Sequence, residues 1–449
     1  MKFIRTAMLR HGVNGMLLYD GHGRKIYLDD LAARVFALLS TPMSLQEILS
    51  NIDIDITKLN QLIVWGHKNG FLSTYSGAVN SVLDKESELQ VVYSFPSSIA
   101  IYPTYSCNQK CTFCYTSSGP DSSPVGQLSH SQWVDIVQKL LEYKVTNITI
   151  LGGEPFLLPD LLLDILKMCK DKCFIRIFTN GTANNGITDE LVKKLAGNFS
   201  AEVIFSIYSS MEEKHNKVVR YKNALSTLLQ SAQTLINNTN LIISAATTIT
   251  KDNVDELDSI ANILIDYKFK RFELRPIMPS KRMDNFYDCI PSPKIIEKQV
   301  ERAREVIRLR GSDLVLSYHY DRSWNSEQIN TQLFWGKRKI KFACQSEDEA
   351  HIDPYGLVYN CPLVIGNKEK AVANILSNDF DVKWEKSFWE YDRGDDWEVD
   401  EPCKGCPDII TCHGGCPLVA KQVFGDIKYA DPYCSRVYIA HLEEGRDKL

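Results

Sequence analysis

Three cysteines that lie within eight residues are the chemically most informative feature of the sequence: Cys107, Cys111 and Cys114, spaced C-x3-C-x2-C. Thiolates so close together cannot all project from one regular element, so the loop that carries them must wrap around what they bind. Zinc and iron–sulfur cubes usually take four ligands, whereas this loop offers three. The spacing predicts an iron–sulfur cube with one iron open to an outside ligand, and the alternatives are an incomplete zinc site or buried thiols.

A second group of cysteines lies beyond residue 340. It has seven members, which are Cys344, Cys361, Cys403, Cys406, Cys412, Cys416 and Cys434. Gly356 lies between the first two of them. Ten of the thirteen cysteines in this chain of 449 residues lie in these two groups, which fits metal ligation better than a disulfide scaffold. Zinc is the alternative metal, because C-x2-C pairs commonly bind it. Cys169 and Cys173 stand apart, and we expect them to be buried structural thiols.

Composition limits the class of protein. Hydrophobic residues make up 44% of the chain and charged residues 24%, which is ordinary for a globular protein of two or three domains. A net charge of −5 gives no sign of a nucleic-acid or membrane-surface partner. No apolar run approaches the roughly 18 residues of a membrane helix, and no secretory segment is evident. We therefore expect a cytoplasmic location.

Alternating strand and helix patterns must position the cysteine loop. Six candidate strands follow from about residue 97, in the segments SSIAIYPTY, TNITIL, FIRIFTN, AEVIFSI, LIISAATTIT and RFELRP. A capping-box pair, Ser129 and Gln132, marks the start of the first intervening helix. Six β/α repeats predict an α/β fold with a parallel sheet, curved or closed, that binds ligands at the carboxyl ends of its strands. The loop of Cys107 directly follows the first strand and so lies at that end.

A Gly-Gly-Glu-Pro turn follows the second strand directly, at Gly152, Gly153, Glu154 and Pro155. Glycines allow the backbone to approach a ligand closely. The carbonyl groups and Glu154 can accept hydrogen bonds from an ammonium group. The alternative is a tight bend without a ligand.

Together these motifs resemble the radical S-adenosylmethionine (radical SAM) superfamily, with Phe113 as the aromatic residue before the last cysteine. The resemblance implies a partial (β/α)6 barrel over about 97–285. It implies a [4Fe–4S] cluster whose fourth position is filled by the amino and carboxylate groups of S-adenosylmethionine, with the Gly-Gly-Glu turn holding the amino group. Further cofactor contacts are implied for Asn180, and for Ser206 and Arg220 as ribose and carboxylate contacts.

The chemistry implied by this resemblance is reductive. One electron cleaves S-adenosylmethionine to methionine and a 5′-deoxyadenosyl radical, which abstracts a hydrogen atom from the substrate. No catalytic residue is assigned beyond the cofactor. Iron–sulfur potentials span about −700 to +450 mV, and this step needs the low end. A low-potential reductant such as flavodoxin or ferredoxin is therefore expected as a partner.

The later cysteines resemble the seven-cysteine pattern of SPASM domains, which carry two auxiliary [4Fe–4S] clusters. The resemblance assigns one cluster to Cys344, Cys361 and Cys416, and the other to Cys403, Cys406, Cys412 and Cys434. The first set lacks a fourth ligand, which could be Cys289, a non-cysteine group or substrate. A β-hairpin that turns at residues 353–356 is expected to bring the first two cysteines of that set together.

Residues 1–75 outline a winged helix, with two strands around a Gly-rich turn and three helices. Residues 1–80 hold eight basic and six acidic residues, a weak balance for DNA binding. The segment resembles the PqqD-like recognition element of enzymes that mature ribosomally synthesised peptides (RiPPs). That resemblance implies that the leader of a precursor peptide adds as a strand to the wing. A purely structural cap is the other alternative.

Taken together, these resemblances predict five segments in the chain. They are a recognition element (1–80), a linker (81–96), a radical SAM barrel (97–285), a bridging region (286–340) and a SPASM domain (341–449). The implied function is a radical SAM peptide maturase that crosslinks the core of its precursor, through thioether, carbon–carbon or aryl-ether bonds. One alternative is a maturase of a protein substrate, of the sulfatase or quinohemoprotein dehydrogenase type. A second is a non-catalytic iron–sulfur electron carrier or redox regulator.

Overall fold

The N-terminal module forms a small apolar core of its own. The computed structural model describes residues 1–12, 15–19, 25–75, 95–197, 199–283, 285–318, 349–385, 403–406, 409 and 414–434. The module comprises β1 (Phe3–Arg5), β2 (Met8–Gly12), β3 (Gly15–Tyr19), β4 (Lys25–Leu28), α1 (Asp30–Leu38), α2 (Leu45–Leu49), α3 (Ile56–Lys68) and β5 (Leu72–Thr74). Strands β2, β3 and β4 form one antiparallel sheet and β1 pairs with β5. The predicted strand pair and three helices are present, and β1, β2 and β5 were not predicted.

A ten-stranded, mostly parallel sheet forms the centre of the molecule. Its strands are β6 (Ser98–Ile101), β7 (Asn147–Ile150), β8 (Phe174–Thr179), β9 (Ala201–Ser206), β10 (Ile242–Ile249), β11 (Arg271–Pro276), β12 (Val315–Tyr318), β13 (Glu349–Ile352), β14 (Leu357–Tyr359) and β15 (Ala373–Asn374). The order is β12-β11-β10-β9-β8-β7-β6-β13-β14-β15. The pairs from β12 to β13 in this order are parallel, and β14 is antiparallel to both β13 and β15. The predicted α/β class and all six predicted strands are confirmed.

Helices cover one face of this sheet. They are α4 (His130–Glu142), α5 (Pro159–Cys169), α6 (Asp189–Leu195), α7 (Glu212–Val219), α8 (Ala224–Asn238), α9 (Leu257–Asp266) and α10 (Pro293–Leu309). The capping box of Ser129 and Gln132 starts α4 as predicted. Outward-facing strand residues such as Ile148 and Ile177 pack with helix residues in one core, which also buries Cys169 and Cys173. Each fully buried aliphatic side chain contributes about 1.5–3 kcal/mol.

The predicted hairpin extends the central sheet. The Asp353 carboxylate accepts hydrogen bonds from the backbone N–H groups of Tyr355 and Leu357, both at 2.9 Å, and Gly356 takes the positive φ that the turn requires. β13 then pairs in parallel with β6, the strand that leads to Cys107. Two later helices are α11 (Phe380–Glu385) and α12 (Pro417–Phe424). None of the described helices has the length and apolar character that crossing a bilayer requires.

The N-terminal module contacts the β/α region through β2. The buried Arg10 donates from Nε to the Tyr143 carbonyl oxygen at 3.3 Å, and from its second terminal nitrogen to the Phe95 carbonyl oxygen. In the sheet order, β2 and β4 are the two outer strands. β2 is thus the outer strand that contacts the β/α region.

Candidate functional site

The cysteine loop lies between the end of β6 and the end of α7. The backbone N–H of Cys107 donates to the Gly119 carbonyl at 3.2 Å. The N–H groups of Lys110 and Thr112 donate to the carbonyl groups of Val219 and Val218 at 3.1 and 3.0 Å. The last carbonyl groups of α7 have no partner within their own helix, so the loop supplies the donors that they need.

The three thiols of the loop lie close enough to affect each other. Burial raises the pKa of the Cys107 thiol to about 12. Burial also raises the pKa of Cys111, and the neighbouring Cys114 and Cys107 act in the same direction. A metal that binds Cys107 and Cys111 must therefore deprotonate these two thiols. Across the described parts of the chain, no three His, Cys, Asp or Glu side chains converge as a single metal ion requires.

Sulfur atoms in this loop already accept hydrogen bonds. Cys107 Sγ accepts from the backbone N–H of Gln109 at 3.4 Å and from Asn180 Nδ2 at 3.6 Å. Cys114 Sγ lies 3.3 Å from the Thr116 hydroxyl. Donors to sulfur stabilise a thiolate and tune the potential of a bound cluster. This donor set fits a cluster held by three thiolates.

The two glycines of the Gly-Gly-Glu-Pro turn make room for the chain segment that leads into the cysteine loop. A Cβ atom at Gly153 would lie 1.9 Å from the Ser106 carbonyl oxygen, and one at Gly152 would lie 2.4 Å from the Thr104 carbonyl oxygen. The N–H groups of Gly153 and Glu154 donate to those same carbonyl groups, of Thr104 and Ser106, at 2.7 and 2.9 Å. The close approach that the sequence predicts toward a ligand is here an approach to protein backbone.

Glu154 is fully buried and its carboxylate has protein partners. One oxygen accepts from the Phe156 N–H at 3.0 Å and the Thr179 hydroxyl at 2.8 Å, and the other accepts from the Asn180 N–H at 2.7 Å. Burial raises the pKa of Glu154 to about 7, although these donors act against the rise. Pro155 begins the short helical turn that follows. Glu154 thereby ties the turn after β7 to the end of β8.

Asn180 links the end of β8 to the cysteine loop. Its Nδ2 donates to Asn108 Oδ1 at 2.9 Å besides Cys107 Sγ, and its Oδ1 accepts from the N–H and hydroxyl of Thr182, both at 2.8 Å. The buried Gln109 donates to the same Thr182 hydroxyl at 3.0 Å. Asn180 thus lies next to the loop with side-chain contacts to protein atoms, and its contact with a cofactor stays a prediction.

Ser206 and Arg220 lie at the rim of the same site. Ser206 ends β9, and Tyr208 follows two residues later. The Tyr208 ring meets the Phe113 ring edge-on, with centroids 4.9 Å apart. Arg220 ends α7 in the left-handed conformation, with φ of 53°, and is exposed. The structure therefore brings both residues to the neighbourhood of the loop.

Two further residues at the site, Ser280 and Arg282, carry no sequence signal that could have identified them. They follow β11. The Ser280 hydroxyl donates to the Cys114 carbonyl oxygen at 2.7 Å, and the Arg282 guanidinium donates to the Cys111 carbonyl oxygen at 3.0 Å. Both side chains therefore bind the backbone of the cysteine loop from the turn that follows β11.

The later cysteines lie partly against the same end of the sheet. Cys416 and Cys289 pack against an apolar cluster that also includes Phe113 of the loop. The Tyr433 hydroxyl donates to the Ile277 carbonyl at 2.7 Å, next to β11. Cys361, Cys403 and Cys434 are buried, and Cys406 is half-buried. Cys344 and Cys412 lie outside the described residues, and the two auxiliary ligand sets stay predictions.

Charged side chains line the sheet face opposite the helices. Arg176 Nε lies 2.9 Å from Glu202, and a terminal nitrogen of Arg176 contacts Glu273. Arg275 pairs with Glu273 at 2.7 Å. Its positive charge also opposes the rise that burial causes in the pKa of the Tyr115 phenol, which is next to Cys114. The two carboxylates are buried while the guanidinium groups are partly exposed. Each partly exposed guanidinium group is thus paired with a carboxylate that lies deeper in this face.

Comparison with known proteins places this site in a family. Residues 101–264 match the profile of the radical SAM superfamily. The chain is 28% identical to the mycofactocin maturase MftC of Mycolicibacterium smegmatis over 342 residues, which are 74% of this chain and 80% of that protein. It is 24% identical to the PqqA peptide cyclase of Streptomyces rochei over 363 residues, which are 76% and 89% of the two chains.

A solved structure has the same fold over almost the whole chain. It is Streptococcus suis SuiB bound to the precursor peptide SuiA, with a TM-score of 0.67 and 17% identity. The similarity covers 97% of this chain and 100% of that chain. A radical SAM domain implies an iron–sulfur cluster and S-adenosylmethionine. Residues 101–264 therefore form a radical SAM domain.

Proposed function

We propose that this chain is a peptide maturase that binds the leader of a ribosomally synthesised precursor and installs crosslinks within its core. The observation that carries the proposal is the cysteine loop, which the Gly-Gly-Glu turn and Asn180 hold at the carboxyl end of β6. MftC and the PqqA peptide cyclase, whose names state maturation and peptide cyclisation, resemble the chain across this region. The SuiB complex with a precursor peptide supports the same class of substrate.

Cys107, Cys111 and Cys114 are the proposed ligands of a [4Fe–4S] cluster. When bound with S-adenosylmethionine, this group supplies a 5′-deoxyadenosyl radical that takes a hydrogen atom from the substrate. Gly152, Gly153, Glu154, Pro155, Asn180, Ser206 and Arg220 are the proposed surroundings of S-adenosylmethionine. The contacts of Glu154 and Asn180 add a second role for both, because they fix the loop in place before any ligand binds.

The partly exposed guanidinium groups of Arg176 and Arg275 are the proposed wall of the peptide site. Their positive charge favours backbone carbonyl groups or acidic side chains of a core peptide. The buried carboxylates behind them, Glu202 and Glu273, fix their orientation. Substrate orientation then comes from rigid strands, which position groups better than loops do.

Two auxiliary [4Fe–4S] clusters are proposed in the C-terminal region, with the ligand sets given above. Closing a crosslink removes two hydrogen atoms, so one electron must leave the substrate after the radical has taken the first of them. An auxiliary cluster is the proposed acceptor. The contact of Cys416 and Cys289 with the apolar cluster around Phe113 supports this, because it joins the two cysteine-bearing regions. A flavodoxin or ferredoxin is the proposed source of the initiating electron.

The proposed leader site is the outer edge of β4. Among the described residues, the sheet order places β4 at an edge beside β3, and an edge strand is a template for pairing with a further strand. A leader bound there raises the local concentration of the core at the cysteine loop. The core site can then accept varied sequences.

The test uses the anaerobically reconstituted protein, S-adenosylmethionine, dithionite and candidate precursors encoded beside its gene. We expect 5′-deoxyadenosine and a peptide lighter by two hydrogen atoms per crosslink, measured by mass spectrometry. Cleavage of S-adenosylmethionine that no neighbouring peptide stimulates would favour a protein substrate. Failure to cleave S-adenosylmethionine at all would revive the electron-carrier alternative.

A further inference from the structure

Arg282 holds the cysteine loop by three backbone carbonyl groups. One terminal nitrogen donates to the Cys111 carbonyl at 3.0 Å, and the other donates to those of Ser117 and Ser118 at 2.9 and 2.6 Å. These contacts cross 164 to 171 residues of sequence. The planar guanidinium fork is suited to this, because its donors have fixed directions, whereas a lysine ammonium is a single point charge.

The surroundings of Arg282 favour this one orientation. Its backbone N–H donates to the Ser280 hydroxyl at 3.1 Å, and that hydroxyl donates to the Cys114 carbonyl. Gly119 faces the guanidinium, and a Cβ atom there would lie 3.2 Å from the terminal nitrogen. The backbone from Cys111 to Ser118 is thereby fixed to one turn after β11.

Arg282 forms no ion pair with a carboxylate of the residues that the structure describes. Within the described part of the chain, its hydrogen bonds go to neutral carbonyl groups, and the nearby Asp121 pairs with Lys110 at 2.7 Å. A cationic group held this way beside Cys111 stabilises negative charge at the loop. Reduction by one electron adds such a charge to a cluster held there.

We propose that Arg282 is a positioning residue that orders the cysteine loop and raises the reduction potential of the cluster that the loop holds. The ordering role stands on the contacts above. The role in the potential rests on the proposed function, since it requires a cluster bound by Cys107, Cys111 and Cys114. Both roles act on the loop without a contact between Arg282 and substrate.

Three variants separate the two roles. R282K keeps the charge and loses the fork, whereas R282Q loses both. R302Q is the matched control, because Arg302 also holds two partners, Gln299 and Asp258, but lies on α10. The first measurement is amide hydrogen exchange of residues 107–119 in the protein without iron. The second is a spectroscopic redox titration of the reconstituted protein with S-adenosylmethionine.

We expect exchange in residues 107–119 to be at least about tenfold faster in both Arg282 variants, because hydrogen bonds to a charged group are lost. In R282Q, the equilibrium constant for one-electron reduction is expected to fall at least about tenfold, which is about 59 mV. R282K should stay close to the unchanged protein in potential, and R302Q in both measurements. Unchanged exchange in R282Q and R282K would overturn the ordering role, and an unchanged potential in R282Q would overturn the electrostatic role.

The two measurements also separate this inference from the proposed function. If the unchanged protein binds no iron–sulfur cluster, the proposed function fails, and the electrostatic role fails with it. The exchange measurement needs no iron, so it still tests the ordering role. A normal cluster in the unchanged protein, with R282Q indistinguishable in both measurements, refutes the inference alone.

Discussion

Replacement of Gly153 by alanine tests how the Gly-Gly-Glu turn supports the cysteine loop. The added Cβ atom would lie 1.9 Å from the Ser106 carbonyl oxygen, whereas real Cβ contacts essentially never fall below 3.0 Å. The two chain segments must therefore separate by about 1.1 Å, the difference between these distances. Ser106 precedes Cys107, so the first cysteine moves with it. A functional constellation tolerates displacements of about 0.5 Å.

The energetic cost follows from the contacts that are lost. The turn makes two backbone hydrogen bonds to this segment, from Gly153 to Thr104 at 2.7 Å and from Glu154 to Ser106 at 2.9 Å. Each is worth about 0.5–1.5 kcal/mol, and overpacking a filled site costs about 1–3 kcal/mol. We expect G153A to lower the free energy of opening around β7 by about 2–6 kcal/mol.

Native-state hydrogen exchange of the β7 and β8 amides measures that free energy, and the iron content after reconstitution reports on the loop. G311A is the control: Gly311 has φ of +57°, and a Cβ atom there would meet no atom within 4 Å. It should cost about 1–2 kcal/mol from backbone strain alone and retain full iron. A G153A protein with unchanged exchange and unchanged iron content would refute the reasoning.

Three further predictions concern the Glu154 carboxylate, the Asn180 amide and the N-terminal module. Burial raises the pKa of Glu154 from the ordinary 4.5 to about 7, so the folded state holds more protons between these values and stability falls as pH rises through that window. E154Q should reduce the change in the free energy of unfolding across this pH window by up to about 3 kcal/mol, as measured by urea denaturation. An unchanged dependence of that free energy on pH would contradict the prediction. N180D removes the donor to Cys107 Sγ and should speed exchange in residues 107–114, equivalent to about 1–3 kcal/mol, while N237D leaves it unchanged. Deletion of residues 1–75 should abolish peptide crosslinking while the cleavage of S-adenosylmethionine continues, and undiminished crosslinking would exclude the leader site.

The sequence predicted those parts of the fold that depend on local patterns. Buried parallel strands read as short apolar runs, which is why all six strands from β6 to β11 were identified. The Ser129 cap and the turn at Gly356 are local in the same sense. The parallel pairing of β13 with β6 was not predicted, because it joins segments about 250 residues apart and leaves no periodic signal.

The candidate site was predicted by residue type, and its contacts were predicted less well. The cysteine trio, the Gly-Gly-Glu turn and Asn180 were all placed at one end of the sheet. The packing contact of Gly153 was not predicted, since it is with Ser106 in a distant segment. Arg282 was missed because a lone arginine in a polar loop resembles any surface residue. Its role depends on three carbonyl groups that only the folded chain brings together.

The central claim is that three thiolates of one loop hold a cluster at which S-adenosylmethionine is cleaved. The most direct test reconstitutes the protein without oxygen, adds S-adenosylmethionine and dithionite, and quantifies 5′-deoxyadenosine together with bound metals. The account predicts bound iron and sulfide, and 5′-deoxyadenosine that disappears when Cys107, Cys111 and Cys114 are all replaced by alanine. Bound zinc in place of iron, or 5′-deoxyadenosine formation that survives the triple replacement, would contradict it.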